Sequence, residues 1–339
     1  MNLAYIPSPS FSRFSIGPVT IHMYAICILT GVCVAVWILT TRWKRAGGTF
    51  DQILDTTLVT VPCALVGARL YHCITTPEAY FPPPFGHGDL VNILKVWEGG
   101  MAIFGGIIVG ALVAFLWCRK HRYPFALFAD CIAPALMVAQ AIGRLGNWFN
   151  QELYGKPTTL PWGLKLNESV DAIGHTEVCY DGKPCPTGTL FHPTFLYEMI
   201  WNLIGAAIIV WLGHKLVNVL RNGQQFAMYL MWYGLGRTWI ESIRINYSSI
   251  VFGLRVNVWS AILCFLLGCV LFVVLQRTGG TYESACADLR RVTADQLESQ
   301  TMREELHDNR SDTTIGTRNA AGATGDDQTD TTSDQSDER

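Results

Sequence analysis

Seven runs of apolar residues dominate this 339-residue chain, and each is close to the ~20 residues a helix needs to cross about 30 Å of hydrocarbon. They fall near 20–41, 53–75, 100–118, 125–148, 193–213, 225–245 and 256–275. Half of the residues are hydrophobic and only 15% are charged, against about 25% charged in ordinary soluble domains. That balance points to a polytopic membrane protein rather than a globular enzyme with one anchor. The fold expected is an all-α integral membrane protein of about seven transmembrane helices, with a small extracytoplasmic cap and a disordered C-terminal tail.

Basic residues orient the spans. The first loop holds Arg42, Lys44 and Arg45, the third Arg119, Lys120 and Arg122, and the fifth Lys215 and Arg221. Even-numbered loops are sparser, with Lys95 in the second and Lys156, Lys165 and Lys183 spread over the fourth. Lys and Arg collect on the cytoplasmic side, which puts the N-terminus outside and the C-terminus in the cytoplasm. Residues 1–19 lack the basic start and short apolar core of a cleaved leader and read as an interfacial segment. Residues 20–275 form the membrane domain. Its outer loops, 76–99 and 150–192, carry prolines (Pro82-Pro83-Pro84; Pro157, Pro161, Pro184, Pro186) and are expected to build the cap. From Gln276 onward there are 7 Lys or Arg against 14 Asp or Glu, whereas the rest of the chain has 18 against 13. Residues 276–339 thus read as an acidic, largely disordered cytoplasmic tail, with a short charged helix over 283–308 and disorder over 309–339. No internal repeat is visible.

Nine of the eleven cysteines lie in or beside apolar runs or, like Cys286, in the tail, where they act as small hydrophobes. Cys179 and Cys185 share the fourth loop, and both a disulfide and two free thiols remain open. The eight histidines show no zinc-like spacing, so no metal and no cofactor are expected.

Polar residues inside the apolar runs mark the candidate site. The fourth run closes with GRLGNWFNQELYG (143–155). An arginine costs about 2.5–3.5 kcal/mol at the centre of a spanning helix and therefore faces a bundle interior or a wet cavity. Arg144 and Asn147 share a helix face, and a guanidinium beside amides suits a phosphate. The plainer readings of Arg144 are an interface anchor or a partner for Glu152. Tyr233, Arg237, Glu241 and Arg244 form one stripe down the sixth run. There Arg237 and Glu241 can pair, and the second arginine leaves positive charge over. His192-Pro193-Thr194-Phe195-Leu196-Tyr197-Glu198 opens the fifth run, where Thr194 suits a helix cap and Glu198 needs a partner such as Arg69 or Arg144. A fourth cluster, Trp97-Glu98-Gly99-Gly100-Met101-Ala102-Ile103-Phe104-Gly105-Gly106, reads as close helix packing. The first, third and fourth clusters all fall at the outer leaflet, which suggests a site for a phospholipid headgroup.

These residues resemble the prolipoprotein diacylglyceryl transferase family. GRLGNWFNQELYG follows that family's GR-x-GN-x-x-N-x-E-x-x-G pattern without a break. IGPVTIHMYA (16–25), GARLY (67–71), WEGGM (97–101), HPTFLYE (192–198) and YGLGRTWIE (233–241) follow in the family's order. The resemblance covers about 1–275. It implies transfer of the sn-1,2-diacylglyceryl group from phosphatidylglycerol to the lipobox cysteine of a preprolipoprotein signal peptide, giving a thioether and glycerol-1-phosphate. It also implies a multi-pass protein of the bacterial plasma membrane, without nucleic acid as a partner. Carried over residue by residue, the catalytic set is Arg144, Arg237, Glu152 and His192. The substrate-binding set is Arg144, Asn147, Tyr24, Gly155, Tyr233, Glu241 and Arg69.

One departure stands out. Many members read F-H-G-G in the third span, with the histidine proposed as a base, whereas this chain reads Ile103-Phe104-Gly105-Gly106. Glu152, His192 and Tyr24 are the remaining base candidates. Alternatively, the arginines' field alone lowers the thiol pKa. A transporter or flippase for an anionic lipid or small anion would also account for intramembrane arginines, although such proteins commonly show repeats and broken helices at the midplane.

Overall fold

The computed structural model describes residues 5–17, 19–82, 86–95, 99–167, 188–245 and 250–322. Cys179 and Cys185, Trp97 and Glu98, Pro83 and Pro84 lie outside the described residues.

Every apolar run becomes a helix: α1 Met23–Ala46, α2 Phe50–Thr75, α3 Ile103–Lys120, α4 Phe125–Asn150, α5 Thr194–Lys215, α6 Gln224–Ile243 and α7 Val256–Thr278. Six of the seven are long and apolar enough to cross a membrane. The exception, α6, carries Gln224, Gln225, Arg237 and Glu241 within 20 residues and is packed by α4, α5 and α7. Leu29, Ile74, Ile103, Leu263 and Val270 point outward, as side chains facing acyl chains do.

Small residues set the helix spacing, because packing rather than hydrophobicity holds helices together in lipid. A Cβ on Gly105 would lie 2.3 Å from the Gly67 carbonyl oxygen, so α2 and α3 touch backbone to backbone. The glycines of the fourth cluster that lie in α3 therefore serve packing, as their spacing suggests. Gly146 gives α4 room for the ring of Tyr24 on α1, which a Cβ would meet at 2.4 Å.

The ends farthest from Tyr24 are tied by side chains. Thr49 and Gln52 form a capping box at the start of α2, and Trp43 Nε1 donates to Gln52 Oε1 at 2.8 Å. Asp130, buried in α4, accepts from the backbone N–H of Gly223 (2.7 Å) and Phe226 (3.0 Å), capping a helix that is not its own. Arg42 donates to Gln225 Oε1 at 2.7 Å and to the Asp130 carbonyl at 3.2 Å. Asp130→Ala is expected to cost about 1.5–3 kcal/mol, the worth of hydrogen bonds to a charged group. Asp130→Asn should recover part of it, with thermal unfolding in detergent as the measurement.

The opposite end carries a small β cap. Ile6–Pro7 (β1) pairs in parallel with Leu164–Lys165 (β4), which pairs antiparallel with Leu190–Phe191 (β5). The N-terminal segment thus joins the cap and does more than lie at an interface. Arg13–Ile16 (β2) and Val19–His22 (β3) make a hairpin leading into α1. Tyr154, Leu164, Leu166, Phe191 and Phe195 form the apolar cluster beneath the sheet. Ile250–Val251 (β6) and Leu254–Arg255 (β7) make a second hairpin before α7. Loop 76–99 contributes two 3₁₀ turns, Pro77–Ala79 and Leu90–Ile93.

Residues 1–290 form one compact unit and 291–339 a second. A last helix, α8, runs from Tyr282 to Gly322, further than the 283–308 helix read from the sequence. Its first two turns belong to the first unit: Leu289 is fully buried, and Arg290 lies over Gly47. The body therefore extends past Gln276, where the charge balance had placed the start of the tail.

Candidate active site

The site forms where the C-terminal ends of α4 and α6 meet the N-terminal ends of α5 and α7. Helix α4 stops at Asn150 because Gln151 turns into the left-handed region at φ +54°. The chain then crosses toward α6, with Gly155 pairing against Arg244 and donating its N–H to the His192 carbonyl at 2.9 Å. A Cβ on Gly155 would come within 2.8 Å of both His192 Cβ and Ile243 Cγ2. Gly155 thus fits because two elements close on it, and that closure fixes the turn carrying Arg244.

Glu198 is the hub. Its Oε2 meets Arg144 Nε at 2.6 Å, its Oε1 meets Arg244 Nη2 at 2.7 Å, and Arg237 Nη1 lies 4.0 Å from Oε1. Of the two partners the sequence allowed, Arg144 is the one used. Glu241 is the second anion: its Oε2 lies 3.0 Å from Arg237 Nη2 and 3.9 Å from Arg244 Nη1. Its Oε1 lies 3.4 Å from Arg255 Nη1 and accepts from Asn257 Nδ2 at 3.0 Å. Four guanidiniums thus share two buried carboxylates, and net positive charge remains. The i,i+4 pairing of Arg237 with Glu241 is real, but it belongs to a network spanning four helices.

Arg144 also donates to Asn147 Oδ1 at 3.2 Å, and Asn147 Nδ2 donates to Glu152 Oε1 at 2.9 Å. With Asn150 Nδ2 at 3.2 Å on the same oxygen, Glu152 is fixed by two amides. The plain alternative in which Arg144 itself pairs with Glu152 is not what forms, because Asn147 stands between them.

Between these groups lies a small pocket of about 20 Å³, room for roughly one water. Arg144, Glu198, Tyr233 and Arg237 line it, together with Gln140, Trp201, Asn202, Gly236 and Ile240. One wall is a double clasp between α5 and α6. The indoles of Trp201 and Trp232 stack at 4.4 Å, and each donates to the other's carbonyl, at 3.1 and 3.0 Å. Gly236 lies under the Trp201 ring, where a Cβ would be 2.2 Å from Nε1.

Arg144, Asn147, Glu152, Arg237 and Glu241 are brought together, with Tyr233 beside them. Tyr24 reaches the same end of α4 through Gly146. Arg69 is placed elsewhere: buried in α2, it donates to the carbonyls of Asn92, Ile93, Lys95, Gly99 and Gly100 and lies 4.9 Å over the Tyr80 ring. It anchors the loop between α2 and α3. His192 turns its Nδ1 to the Tyr197 hydroxyl at 3.1 Å. Burial and then the Lys156 charge lower its pKa below the usual histidine value, so the ring is neutral at pH 7. Thr194 does not cap α5; its hydroxyl donates to the Leu153 carbonyl. Phe104 leans on Tyr71, ring centroids 6.5 Å apart, and is 44% exposed.

Sequence reading missed Arg255, Asn257, Gln140, Asn202 and Trp201. Spacing held a signal for two of them, since Gln140 stands four before Arg144 and Asn202 four after Glu198, each on one helix face.

A family model described as prolipoprotein diacylglyceryl transferase matches residues 12–274. The chain belongs to the prolipoprotein diacylglyceryl transferase family. The phosphatidylglycerol–prolipoprotein diacylglyceryl transferase of Bifidobacterium longum (strain DJO10A) is 76% identical over 307 residues, 90% of this chain and 96% of that protein. The protein of the same name from Bifidobacterium adolescentis is 61% identical, covering 88% of each chain. The Streptomyces coelicolor protein named phosphatidylglycerol–prolipoprotein diacylglyceryl transferase 2 is 46% identical over 78% of this chain and 79% of its own. Family and helices together make this a multi-pass membrane protein, and the matched span contains every residue of the charge network.

Proposed function

We propose that this protein transfers the diacylglyceryl group of phosphatidylglycerol to the lipobox cysteine of a preprolipoprotein at the pocket between Arg144 and Arg237. The supporting observation is that both guanidiniums line one cavity and are held by buried carboxylates, with positive charge left over. The cysteine sulfur bonds to C3 of the diacylglyceryl unit as the bond from that carbon to the phosphate oxygen breaks. The electron pair leaves with glycerol-1-phosphate, and the thiol proton passes to a base or to water. Negative charge grows on the phosphate, so donors fixed in advance around it favour the transition state. Asn147 aims Arg144, Glu241 aims Arg237, and Glu198 joins their helices. Tyr24, Tyr233 and Gly155 shape the walls, and Arg69 acts on the site only through the loop it holds.

The nucleophile belongs to the partner, and a thiol of pKa about 8.5 is a few per cent ionised near neutrality. The cationic surplus raises that fraction, and Glu152, His192 and Tyr24 are the candidates to take the proton. The pH profile separates the two sources of ionisation. Because the His192 pKa is lowered, a His192 base would be fully active by pH 7, and activity would fall only as pH drops through the lowered value. If the field on the thiol controls the rate, turnover keeps rising from pH 7 through 8, and His192→Gln leaves that rise in place. We expect the second profile.

The site end of the bundle faces outward and the C-terminus the cytoplasm of a bacterial plasma membrane, as loop charges favour. Labelling of single cysteines placed at positions 45 and 160 reads this out: only the second should react with an impermeant reagent from outside. The reaction is tested by incubating purified protein with phosphatidylglycerol and a lipobox peptide. A diacylglyceryl mass shift with release of glycerol phosphate is expected. Anion or lipid movement with an unmodified peptide would favour the transporter reading instead.

A further inference from the structure

The pocket between the two arginines has more hydrogen-bonding capacity than a phosphate uses. Asn202 is 7% exposed, lines the cavity, and its side chain has no hydrogen-bond partner among the described residues. Gln140 Nε2 donates to the Tyr229 hydroxyl at 2.9 Å, whereas its Oε1 is buried without a partner. The Tyr233 hydroxyl, on the same cavity, also lacks one among the described residues. A buried polar atom left unpaired is costly, so the orphan Gln140 Oε1, beside two more polar side chains without partners on the same cavity, points to a ligand that completes them.

We propose that Gln140, Asn202 and Tyr233 form a subsite for the hydroxyls of a glycerol headgroup, beside the phosphate position at Arg144 and Arg237. This rests on the phosphate reading above. The geometry supports it through three helix faces. Gln140 and Arg144 are one turn apart on α4, Glu198 and Asn202 one turn apart on α5, and Tyr233 and Arg237 one turn apart on α6. Each helix presents a charged residue at one level and a neutral hydrogen-bonding residue at the next. A ligand charged at one end and rich in neutral hydroxyls at the other matches both levels. An ammonium headgroup does not, because it brings only donors and a positive charge toward a site where guanidiniums outnumber carboxylates. Hydroxyls both donate and accept, which suits an orphan acceptor on Gln140 and an amide on Asn202. Gln140 and Asn202 are thus specificity residues: they select which phosphodiester lipid enters.

The test compares binding of glycerol-1-phosphate and inorganic phosphate to the full chain in detergent by isothermal titration calorimetry. Wild type should bind glycerol-1-phosphate more tightly, by about 10-fold for two or more added neutral hydrogen bonds. Gln140→Leu and Asn202→Ala should each reduce that advantage about threefold while leaving phosphate affinity unchanged. Asn202→Ser, read on the same ratio, serves if the alanine variant fails to fold. A wild type that does not prefer glycerol-1-phosphate, or variants that keep the full preference, would overturn the proposal. Because binding requires no turnover, a preserved ratio without peptide modification would instead count against the transferase reading.

Discussion

Arg144→Ala abolishes transfer: turnover should fall by at least about 10²–10³-fold, the loss seen when one preorganised donor to a developing oxyanion is removed. Two directions of the side chain are already committed, Nε to Glu198 at 2.6 Å and Nη1 to Asn147 at 3.2 Å. Those bonds leave the rest of the guanidinium aimed at the pocket it lines. Arg144→Lys should rescue little. A single ammonium cannot hold Glu198 and Asn147 and still offer a planar pair of donors to a phosphate. The alanine protein should remain folded, because Glu198 keeps Arg244 at 2.7 Å. Mass-spectrometric turnover on a lipobox peptide checks this, and near-normal turnover would mean that the phosphate sits elsewhere.

The second large effect is structural. Glu198 is 6% exposed at its side chain and is the anion nearest to both Arg144 and Arg244. Removing one member of a buried ion pair costs about 3–5 kcal/mol, because the partner stays buried and uncompensated. Here two partners are stranded, and Arg237 loses a neighbour at 4.0 Å. Glu198→Ala should therefore lower the unfolding midpoint in detergent by many degrees and remove activity with it. Glu198→Gln keeps shape and hydrogen bonding but not charge. It should recover part of the stability while activity stays low, since Arg144 is no longer held. If both variants unfolded like wild type, the carboxylate would not be the hub described.

Much of this was legible in the chain. Apolar runs gave seven helices because a spanning segment has to satisfy its own backbone. The motif residues of 143–155 and 233–241 fell where spacing placed them. What spacing cannot show is a partner on another helix. Asp130 lies near the start of the fourth apolar run and reads as a polar intruder, yet it caps α6 from 93 residues away. Arg69 looked available to Glu198, but five carbonyls of a later loop take its donors. Thr194 precedes an apolar run as a cap residue should, yet Pro193 holds that position and the hydroxyl turns to Leu153. Arg255 was hidden because it comes from a hairpin, Ile250–Arg255, that carries no apolar period of its own. Gln140 and Asn202 were hidden differently: they lie on the right faces, but neutral amides in a helix carry no signal until the cavity beside them is visible.

Phe104 stands at the start of α3, and its ring rests on Tyr71. A phenyl ring takes no proton, which is consistent with the proposal that the arginines' field assists the thiol. The mechanism stands on one position, the phosphate between Arg144 and Arg237. A structure with bound phosphatidylglycerol tests it most directly. Phosphate oxygens should lie within hydrogen-bonding distance of both guanidiniums, with the glycerol hydroxyls toward Gln140 and Asn202. A phosphate held by other groups, with both arginines still turned only to Glu198 and Glu241, would contradict it.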